Sequence, residues 1–333
     1  MADFEEFHDE LRSVAGDLLA KDREVDWPVL VDAGWTGLEV PDDFGGAGAT
    51  FAETAVILGQ IGRAASANSY LGSAALAVGV LNQLEPHGLA GELYDVVASG
   101  GTRLAVVTDQ FDIGTRALTG RAEFVPDAAG ADRLLVLVAD GVAVVPASAL
   151  AVSAQPVVDE TRRLATVVAD GAVAEAVLPF TRPAAADAIR DRATVAVAVD
   201  SLGLAEQMLS ATVDYVKVRH QFSRPIGSFQ AVKHACADML VAIEVSRQLV
   251  GQAVTAIAED ADAGVAAAMA KSYACSAAVD VAGKAMQLHG GIGYTWESGI
   301  HTYLKRAALN RSLFGSPAAH RQTIAQRYQV KRK

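Results

Sequence analysis

The segment that begins at Arg219 combines side chains able to hold a phosphate group and a flat ring. It reads Arg219-His220-Gln221-Phe222-Ser223-Arg224-Pro225-Ile226-Gly227. Arginine presents a planar fork of donors to phosphate oxygens, glutamine can hydrogen-bond, and a phenyl ring can stack on an aromatic base. The same residues also suit a plain turn between two helices, with the arginines in water. Taken alone, the residue types favour the plain turn.

A second segment of interest ends an alanine-rich stretch. It reads Gln287-Leu288-His289-Gly290-Gly291-Ile292-Gly293-Tyr294. Paired glycines let a ligand approach the backbone closely and can turn N–H groups toward phosphate oxygens. A glycine just past the last turn is also the commonest way to end a helix. Taken alone, Gly290 and Gly291 are better explained as a helix end.

The composition is that of an ordinary globular protein, large enough for two or three domains. The chain has 333 residues, of which 51% are hydrophobic and 20% charged, and its net charge is -11. Proteins that bind nucleic acids normally carry a basic face. The one basic cluster, Lys331-Arg332-Lys333, is interpreted as a solvated tail. We therefore expect no nucleic-acid partner.

Three zones differ in their hydrophobic pattern, and we predict a domain for each: residues 1–98, 99–182 and 183–333. The first has apolar residues at helical spacing from Phe4 to Leu18, and helical patterns near 50–62, 67–83 and 90–98. The second has short apolar runs separated by Gly, Asp and Pro, as in an antiparallel β domain. These runs lie at 104–108, 134–138, 142–146, 164–168 and 176–178.

The third zone is helical again. Long patterns lie near 195–216, 232–250 and 262–288, and shorter ones near 297–309 and 317–328. Long helices joined by short loops predict a four-helix bundle. The fold class is therefore α+β and mainly α: an N-terminal helical domain, a small antiparallel β domain and a C-terminal bundle. The glycine patterns of Rossmann and P-loop proteins are absent from the sequence.

The sequence favours a reducing compartment. Cys236 and Cys275 lie far apart, each inside a helical pattern, so buried thiols are expected rather than a disulfide. The acidic stretch from Met1 to Glu10 lacks the features of a signal peptide. Charges interrupt the apolar stretches, so no membrane span is expected. We predict a cytoplasmic location.

Taken together and in this order, the two segments resemble the acyl-CoA dehydrogenase family. There the first recurs as Arg-x-Gln-Phe-x-x-Pro-Ile and the second as Gln-x-x-Gly-Gly-x-Gly. Further resemblance lies at Gly34-Trp35-Thr36-Gly37-Leu38-Glu39-Val40-Pro41, at Phe44-Gly45-Gly46 and at Ile61-Gly62-Arg63. It spans nearly the whole chain and includes the helix–sheet–helix order. Several separate motifs agree in sequence and spacing, which makes the resemblance specific.

The resemblance implies FAD as cofactor, an acyl-CoA thioester as substrate and an electron-transfer partner. It also implies that the chain contacts the pyrophosphate–adenosine part of FAD, held chiefly by a neighbouring subunit. The residues carried over to this role are Arg219, Gln221, Phe222, Gln287, Gly290 and Gly291. A site shared in this way implies an oligomer.

The resemblance also defines what the chain lacks. In the family a glutamate removes the α-proton while the flavin accepts hydride from the β-carbon. The commonest position of that glutamate, 24 residues after Gly290, holds Phe314. The alternative position, near the start of the first long C-terminal helix, aligns with Ala193, two residues from Asp191. Glu297 is a weak substitute, because the family often has a carboxylate there that is not the base.

Weaker candidates for the base are His301, His220 and Asp200. The middle zone is also short for the family. Thr108 can match a flavin-facing threonine, but no counterpart of a Trp-Ile-Thr strand that shields the flavin ring is found. The chain is therefore expected to hold its own flavin poorly.

Three hypotheses follow from these departures. In the first, the chain is a half-site subunit of a heterotetramer, and a paralogous acyl-CoA dehydrogenase subunit supplies the base. Such assemblies resemble those of bacterial steroid and cholesterol side-chain degradation. In the second, it is a self-sufficient homo-oligomer with a relocated base at Glu297 or Asp191. In the third, it is a catalytically dead binding or scaffold protein. The first is favoured.

Overall fold

The computed structural model describes residues 4–115 and 117–329, with the side chains of 4–6 and 329 left out. The predicted basic tail at 331–333 and the first three residues of the acidic N-terminus lie outside the described residues. The chain forms two compact units. The first comprises Met1–Arg23, Ala55–Ser66 and Thr194–Lys333, and the second comprises Glu24–Thr54 and Ala67–Ala193. The three predicted domains, with boundaries at 98 and 182, stay a prediction.

The helices before the strands follow the predicted apolar spacing. Their bounds are α1 Phe4–Leu19, α2 Trp27–Asp32, α3 Phe51–Ala64, α4 Ala77–Leu81 and α5 Gly88–Ala98. A π-helical turn at Leu71–Leu76 leads into α4, and all eleven residues of this continuous apolar segment are buried. Helix α3 contributes residues to both units.

The helices after the strands are α6 Ala185–Val218, α7 Gln230–Ala258, α8 Gly264–His289, α9 Ile300–Ser312 and α10 Pro317–Gln329. Helix α8 buries mostly alanines, whose small side chains let neighbouring helices approach closely. Met239 and Ile243 of α7 pack with Ala278, Val281 and Ala282 of α8 in one apolar core. The predicted long helices are therefore present, although α6 begins ten residues before its expected start and α7 ends eight residues after its expected end.

Within the described residues, ten strands of two to ten residues lie between and among the helices. They are β1 Leu104–Val107, β2 Asp112–Ile113, β3 Ala117–Pro126, β4 Arg133–Val138, β5 Gly141–Pro146, β6 Ala151–Gln155, β7 Leu164–Val173, β8 Ala176–Pro179, β9 His220–Gln221 and β10 Arg224–Pro225. The second unit contains two four-stranded sheets, ordered β1-β4-β5-β8 and β2-β3-β7-β6. Side chains from both sheets form one apolar core that includes Leu118, Val136, Val145 and Val167.

The predicted fold class, α+β and mainly α, is confirmed, with one difference inside the sheets. Strands β1 and β4 pair in parallel, with Val106 opposite Leu135. A parallel pair needs a crossover between its strands, and here β2 and β3, which belong to the other sheet, form it. The remaining pairs in the two sheets are antiparallel.

Strands β2, β3 and β6 were absent from the predicted set, because polar residues or a glycine interrupt them and leave no continuous apolar run. Gly120 shows why β3 breaks the pattern: a Cβ there would lie 2.4 Å from the ring of Phe111. The glycine lets the strand cover that buried ring, although glycine is unfavourable in strands generally.

The two cysteines are both free thiols, Cys275 buried and Cys236 half-buried. Among the described residues one helix, α7, is long and apolar enough to cross a bilayer by length and composition alone, with a mean hydropathy of 1.2. This is weak support for a span, because core helices of globular bundles pass the same test. The absence of a membrane span stays a prediction.

Candidate functional site

The C-terminal ends of α6 and α8 lie side by side. The rings of Tyr215 and His289 stack with centroids 4.4 Å apart, and the Tyr215 hydroxyl donates to the His289 carbonyl at 3.3 Å. Ser201 and Cys275 meet at 3.4 Å between the oxygen and the sulfur. Both pairs are offset by 14 residues along their helices, so α6 and α8 run parallel. The segments after α6 and at the end of α8 therefore share one end of the first unit.

The segment after α6 is a tight hairpin. Strands β9 and β10 pair antiparallel, with Gln221 opposite Arg224. The two turn residues, Phe222 and Ser223, have φ of 53° and 63°. Left-handed backbone is uncommon outside glycine and costs of order 1–3 kcal/mol, so it persists where something else requires it. The turn projects Phe222 outward, with 86% of its surface exposed.

The other residues of the hairpin are also open to solvent. Arg219 and Gln221 are exposed, and the Phe222 ring meets the edge of Phe229 at 6.1 Å between centroids. The Arg224 guanidinium lies 4.0 Å from the centre of the Phe229 ring. This cation–π contact fixes the base of the hairpin. The sequence identified Arg224 only as part of the segment. Its position between Phe222 and Phe229 was the signal that could have predicted this contact.

The glycines after α8 serve different purposes. Gly290 has a φ of 61° and ψ of -141°, which side chains rarely adopt. Gly293 is required by packing, since a Cβ there would lie 2.8 Å from the carbonyl oxygen of Met286. A Cβ at Gly291 would meet no described atom within 4 Å, and Gln287 on the last turn is exposed. Neither conformation nor packing within this chain explains Gly291, whereas close approach of a ligand would.

Phe314 lies in a rigid loop after α9. It is half-buried, and its carbonyl oxygen is 2.9 Å from Nε2 of His320. The buried Lys271 ammonium donates to the carbonyls of Asn310, Arg311 and Gly315 at 2.8, 3.1 and 2.9 Å. Burial lowers the pKa of both Lys271 and His320. The chain therefore fixes this loop from two sides yet presents a phenyl group, which cannot accept a proton.

Ala193 is completely buried and lies in the second unit. The neighbouring Arg192 binds the Glu39 carboxylate through both terminal nitrogens, one of them at 2.9 Å, and donates from Nε to the Ala75 carbonyl at 2.8 Å. Its guanidinium also covers the Phe51 ring at 4.4 Å. The side chain next to the alternative base position is thus an arginine held by the Glu39 carboxylate and the Ala75 carbonyl. Asp191 is half-buried.

Glu297 is fully exposed, and hydrogen bonds from its own backbone and from Thr295 lower the pKa of its carboxyl. A general base works best when its pKa lies near the operating pH, so these bonds make Glu297 a poorer base. We therefore disfavour Glu297 as a relocated base.

Glu297→Gln provides a direct check. We expect the turnover number of the active assembly to stay within about twofold of the parent, as for most surface substitutions. Loss of an essential base would instead lower it by ~10²–10⁴-fold. Steady-state assays with equal flavin content decide between these outcomes, and a collapse in turnover would make Glu297 the base.

Among the weaker candidates for the base, Asp200 is held in place by hydrogen bonds from buried side chains. Its carboxylate accepts from Arg306 at 2.6 and 3.0 Å and from the Asn310 amide at 2.6 Å. Asp200, Arg306 and Asn310 are all fully buried. The sequence contained a signal for this cluster, because two polar residues four apart on α9 share one face of a helix.

His301 packs against Trp296, with ring centroids 4.6 Å apart, and the imidazole of His220 is 3.0 Å from the Val218 carbonyl oxygen. Thr108 is half-buried in the second unit, where its carbonyl accepts from Arg190 at 3.3 Å. None of these contacts assigns a base.

Two family models match the chain and together cover most of it. The model described as "Acyl-CoA dehydrogenase, C-terminal domain" matches residues 190–329, and the corresponding N-terminal domain model matches residues 5–88. The chain belongs to the acyl-CoA dehydrogenase family. Members of this family are FAD-dependent oxidoreductases, and the chain is one of this enzyme class.

Curated relatives of this acyl-CoA dehydrogenase cover most of its length. Acyl-CoA dehydrogenase IpdE2 of Mycobacterium tuberculosis is 34% identical over 306 residues, 90% of this chain and 86% of the relative. IpdE2 of Mycolicibacterium smegmatis is 32% identical over 294 residues, 87% of this chain and 84% of the relative.

Two solved structures match over nearly their full length. The "Tcur3481-Tcur3483 steroid ACAD G363A variant" has a TM-score of 0.90 at 27% identity and covers 98% of this chain and 99% of its own. The ChsE4-ChsE5 complex from Mycobacterium tuberculosis has a TM-score of 0.87 at 26% identity, with 98% and 97% covered.

The family's cofactor fits the residues present at the ends of α6 and α8. Arg219, Gln221 and Phe222 stand exposed on the hairpin, while Gly290 and Gly291 have open space where a side chain would lie. An exposed guanidinium, an exposed amide, a free ring face and accessible backbone are the groups that hold an anionic nucleotide. The binding role of these five residues, and of Gln287, stays a prediction.

Proposed function

We propose that this chain is the subunit without a catalytic base in a heteromeric acyl-CoA dehydrogenase. One observation carries the proposal: the ends of α6 and α8 present exposed side chains of the types that can bind a nucleotide, whereas both usual positions of the base hold apolar side chains. Phe314 and Ala193 can neither accept nor donate a proton. The chain therefore contributes to holding the cofactor, and the carboxylate must come from elsewhere.

In this role Arg219 donates charge-assisted hydrogen bonds to the pyrophosphate, which are stronger than neutral ones. Gln221 and Gln287 offer amide donors and acceptors, and Phe222 offers a ring face to an aromatic base. Gly290 and Gly291 let phosphate oxygens approach the backbone. When bound, FAD supplies the acceptor for the hydride that leaves the acyl β-carbon.

The surface at this end of the first unit supports a protein partner. Four large apolar side chains are exposed there: Phe222 at 86%, Trp296 at 70%, Tyr294 at 69% and Ile292 at 46%. They occur in the hairpin and just after the Gly-Gly turn, and aromatic residues are enriched at protein interfaces. Exposed apolar groups clustered in this way mark interaction surfaces. We propose that a paralogous acyl-CoA dehydrogenase subunit covers them, giving a heterotetramer that shares FAD.

Relatives suggest the substrate class. One matching structure is described as a steroid acyl-CoA dehydrogenase with two named chains, and another as a complex of two chains. We propose that the assembly containing this chain dehydrogenates the acyl-CoA ester of a steroid-derived acid in the cytoplasm. The electrons taken from the substrate would leave the assembly through a separate acceptor protein.

Co-expression tests the proposal. The partner to be tried is any paralogous acyl-CoA dehydrogenase chain with a glutamate at one of the two usual positions that a neighbouring reading frame encodes. We expect the two to co-purify with one FAD per pair and the chain expressed alone to be colourless and inactive.

Two other outcomes would overturn the proposal and identify its alternatives. A yellow, fully active lone chain would make it a self-sufficient homo-oligomeric enzyme. A chain that stays colourless and inactive with every such partner would make it a scaffold that keeps only the fold.

A further inference from the structure

A surface cavity of about 390 Å³ lies within the first unit, formed by four helices and the residue Arg23 beyond α1. Its lining residues are Gly16, Leu19, Ala20, Arg23, Gln60, Arg63, Ala64, Gln207 and Tyr303. These include two guanidinium groups and two carboxamides but no carboxylate. None of them belongs to the hairpin or the Gly-Gly turn.

The two guanidinium groups face no carboxylate among the lining residues of the cavity. Arg63 lies 3.7 Å from the Glu206 carboxylate, which accepts more closely, at 2.6 Å, from Arg247, and Arg247 also pairs with Glu244. Arg23 donates to the Thr302 hydroxyl at 3.3 Å, a neutral partner. Both arginines keep donors for a ligand, in a chain whose net charge is -11. An anion is therefore attracted to this place rather than to the surface generally.

Tyr303 forms a fixed side of the cavity. It is buried, and its hydroxyl donates to the Arg63 carbonyl at 3.0 Å, which joins α9 to the end of α3. The Arg23 guanidinium lies 5.9 Å from the centre of the Tyr303 ring. Burial raises the pKa of Tyr303, so the phenol is neutral, although Arg23, Arg306 and Arg63 act in the opposite direction. The positive charges of Arg23, Arg306 and Arg63 thus all act on the buried Tyr303 phenol that lines the cavity.

Part of the cavity lining is apolar. Leu19, Ala20 and Ala64 present aliphatic groups to the cavity. A Cβ at Gly16 would lie 3.4 Å from Oε1 of Gln60, so the glycine leaves the glutamine amide room beside this apolar part. Pockets that bind small molecules typically combine an apolar lining with a few polar groups that fix orientation, and have volumes of about 300–1,000 Å³.

We propose that this cavity binds a small organic anion whose phosphate or carboxylate headgroup lies between Arg23 and Arg63. Its short aliphatic body packs on Leu19, Ala20 and Ala64, and the amides of Gln60 and Gln207 orient the headgroup. The cavity binds this anion whether or not a partner subunit is present.

Titration calorimetry on the full-length chain tests the proposal with three probes of equal length: hexyl phosphate, hexanoate and hexanol. We expect saturable binding, one molecule per chain, of at least one anion and none of the neutral alcohol. The anion that binds more tightly identifies the headgroup. Because the attraction is electrostatic, affinity should fall as salt is raised.

Matched variants locate the binding site. Arg23→Gln and Arg63→Gln should each weaken the anion about tenfold or more, since a hydrogen bond to a charged group is lost. Arg12→Gln is the control, because Arg12 is on α1 and exposed but does not line the cavity. Leu19→Ala, which shortens one side chain of the apolar lining, should weaken hexyl phosphate but not inorganic phosphate, which is added as a fourth probe.

Three results would overturn the proposal: no saturable binding of either anion, equal binding of hexanol, or affinity unchanged in both arginine variants. Circular dichroism of each variant confirms that it is folded. Arg23 is exposed, so its replacement leaves a folded chain in which the test remains decisive.

Discussion

Replacing Arg219 with alanine is expected to lower the affinity of the assembled enzyme for FAD by about 10- to 100-fold. The estimate follows from the loss of a charge-assisted hydrogen bond, which is worth about 1.5–3 kcal/mol. Arg219 is exposed at the end of α6, beside the end of α8, so its removal leaves no buried charge behind. Flavin fluorescence during serial dilution of the complex measures the dissociation constant.

The control for this variant is Arg327→Ala. Arg327 is also exposed and lies near the C-terminal end of the sequence. It forms an ion pair with Asp262 at 2.9 Å. Exposed ion pairs typically contribute 0–1 kcal/mol, so FAD affinity and stability should both change little. Arg219→Lys should fall between parent and alanine, because lysine keeps the charge but loses the planar fork. Unchanged FAD affinity in Arg219→Ala would remove the hairpin from the nucleotide site.

Asp200→Asn is expected to cost about 3–5 kcal/mol in the free energy of unfolding. Arg306 and Asp200 are 1% and 0% exposed, so the substitution leaves a buried guanidinium without its counter-charge. The Ser66 carbonyl still accepts from Arg306 at 2.7 Å, but a neutral carbonyl does not balance the charge. Urea denaturation followed by circular dichroism measures the change from the shift in midpoint at constant slope.

Asp262→Asn is the matched control, since the Asp262–Arg327 pair is exposed. Its hydrogen bonds from Arg327 and from the Gly264 backbone lower the pKa of the Asp262 carboxyl, but solvent screens the charge. We expect its free energy of unfolding to change by less than about 1 kcal/mol. Equal effects of the two substitutions would mean that the buried cluster does not hold α6 and α9 together.

The sequence predicted the helices well because their apolar spacing repeats over many turns. Helix α8 was expected near 262–288 and occurs at Gly264–His289. Strands β3 and β6 were not predicted, since polar residues and a glycine interrupt their apolar residues and leave no continuous apolar run. The parallel pairing of β1 with β4 was missed as well, because apolar runs carry no information about strand direction.

Of the site, the sequence supplied the residues but not their arrangement. The two motif segments are about 70 residues apart in the chain, and contacts between α6 and α8 such as Tyr215–His289 and Ser201–Cys275 place them together. The support behind Phe314 was also beyond prediction, because Lys271 reaches the Gly315 carbonyl across 44 positions. Pairings of single polar side chains over such separations leave no periodic signal. The apolar residues at both base positions, in contrast, could be identified from the sequence alone.

The central claim, that this chain holds cofactor but cannot abstract the substrate proton, is tested most directly by a single-turnover measurement. The assembled enzyme and the same assembly with the partner's glutamate replaced by glutamine, at equal flavin content, are each mixed anaerobically with the same steroid acyl-CoA, and bleaching of the flavin absorbance is followed. We predict rapid bleaching in the first and bleaching ~10²–10⁴-fold slower or undetectable in the second, as expected when the general base is lost. Equal rates in the two samples would contradict the account and place the base in this chain.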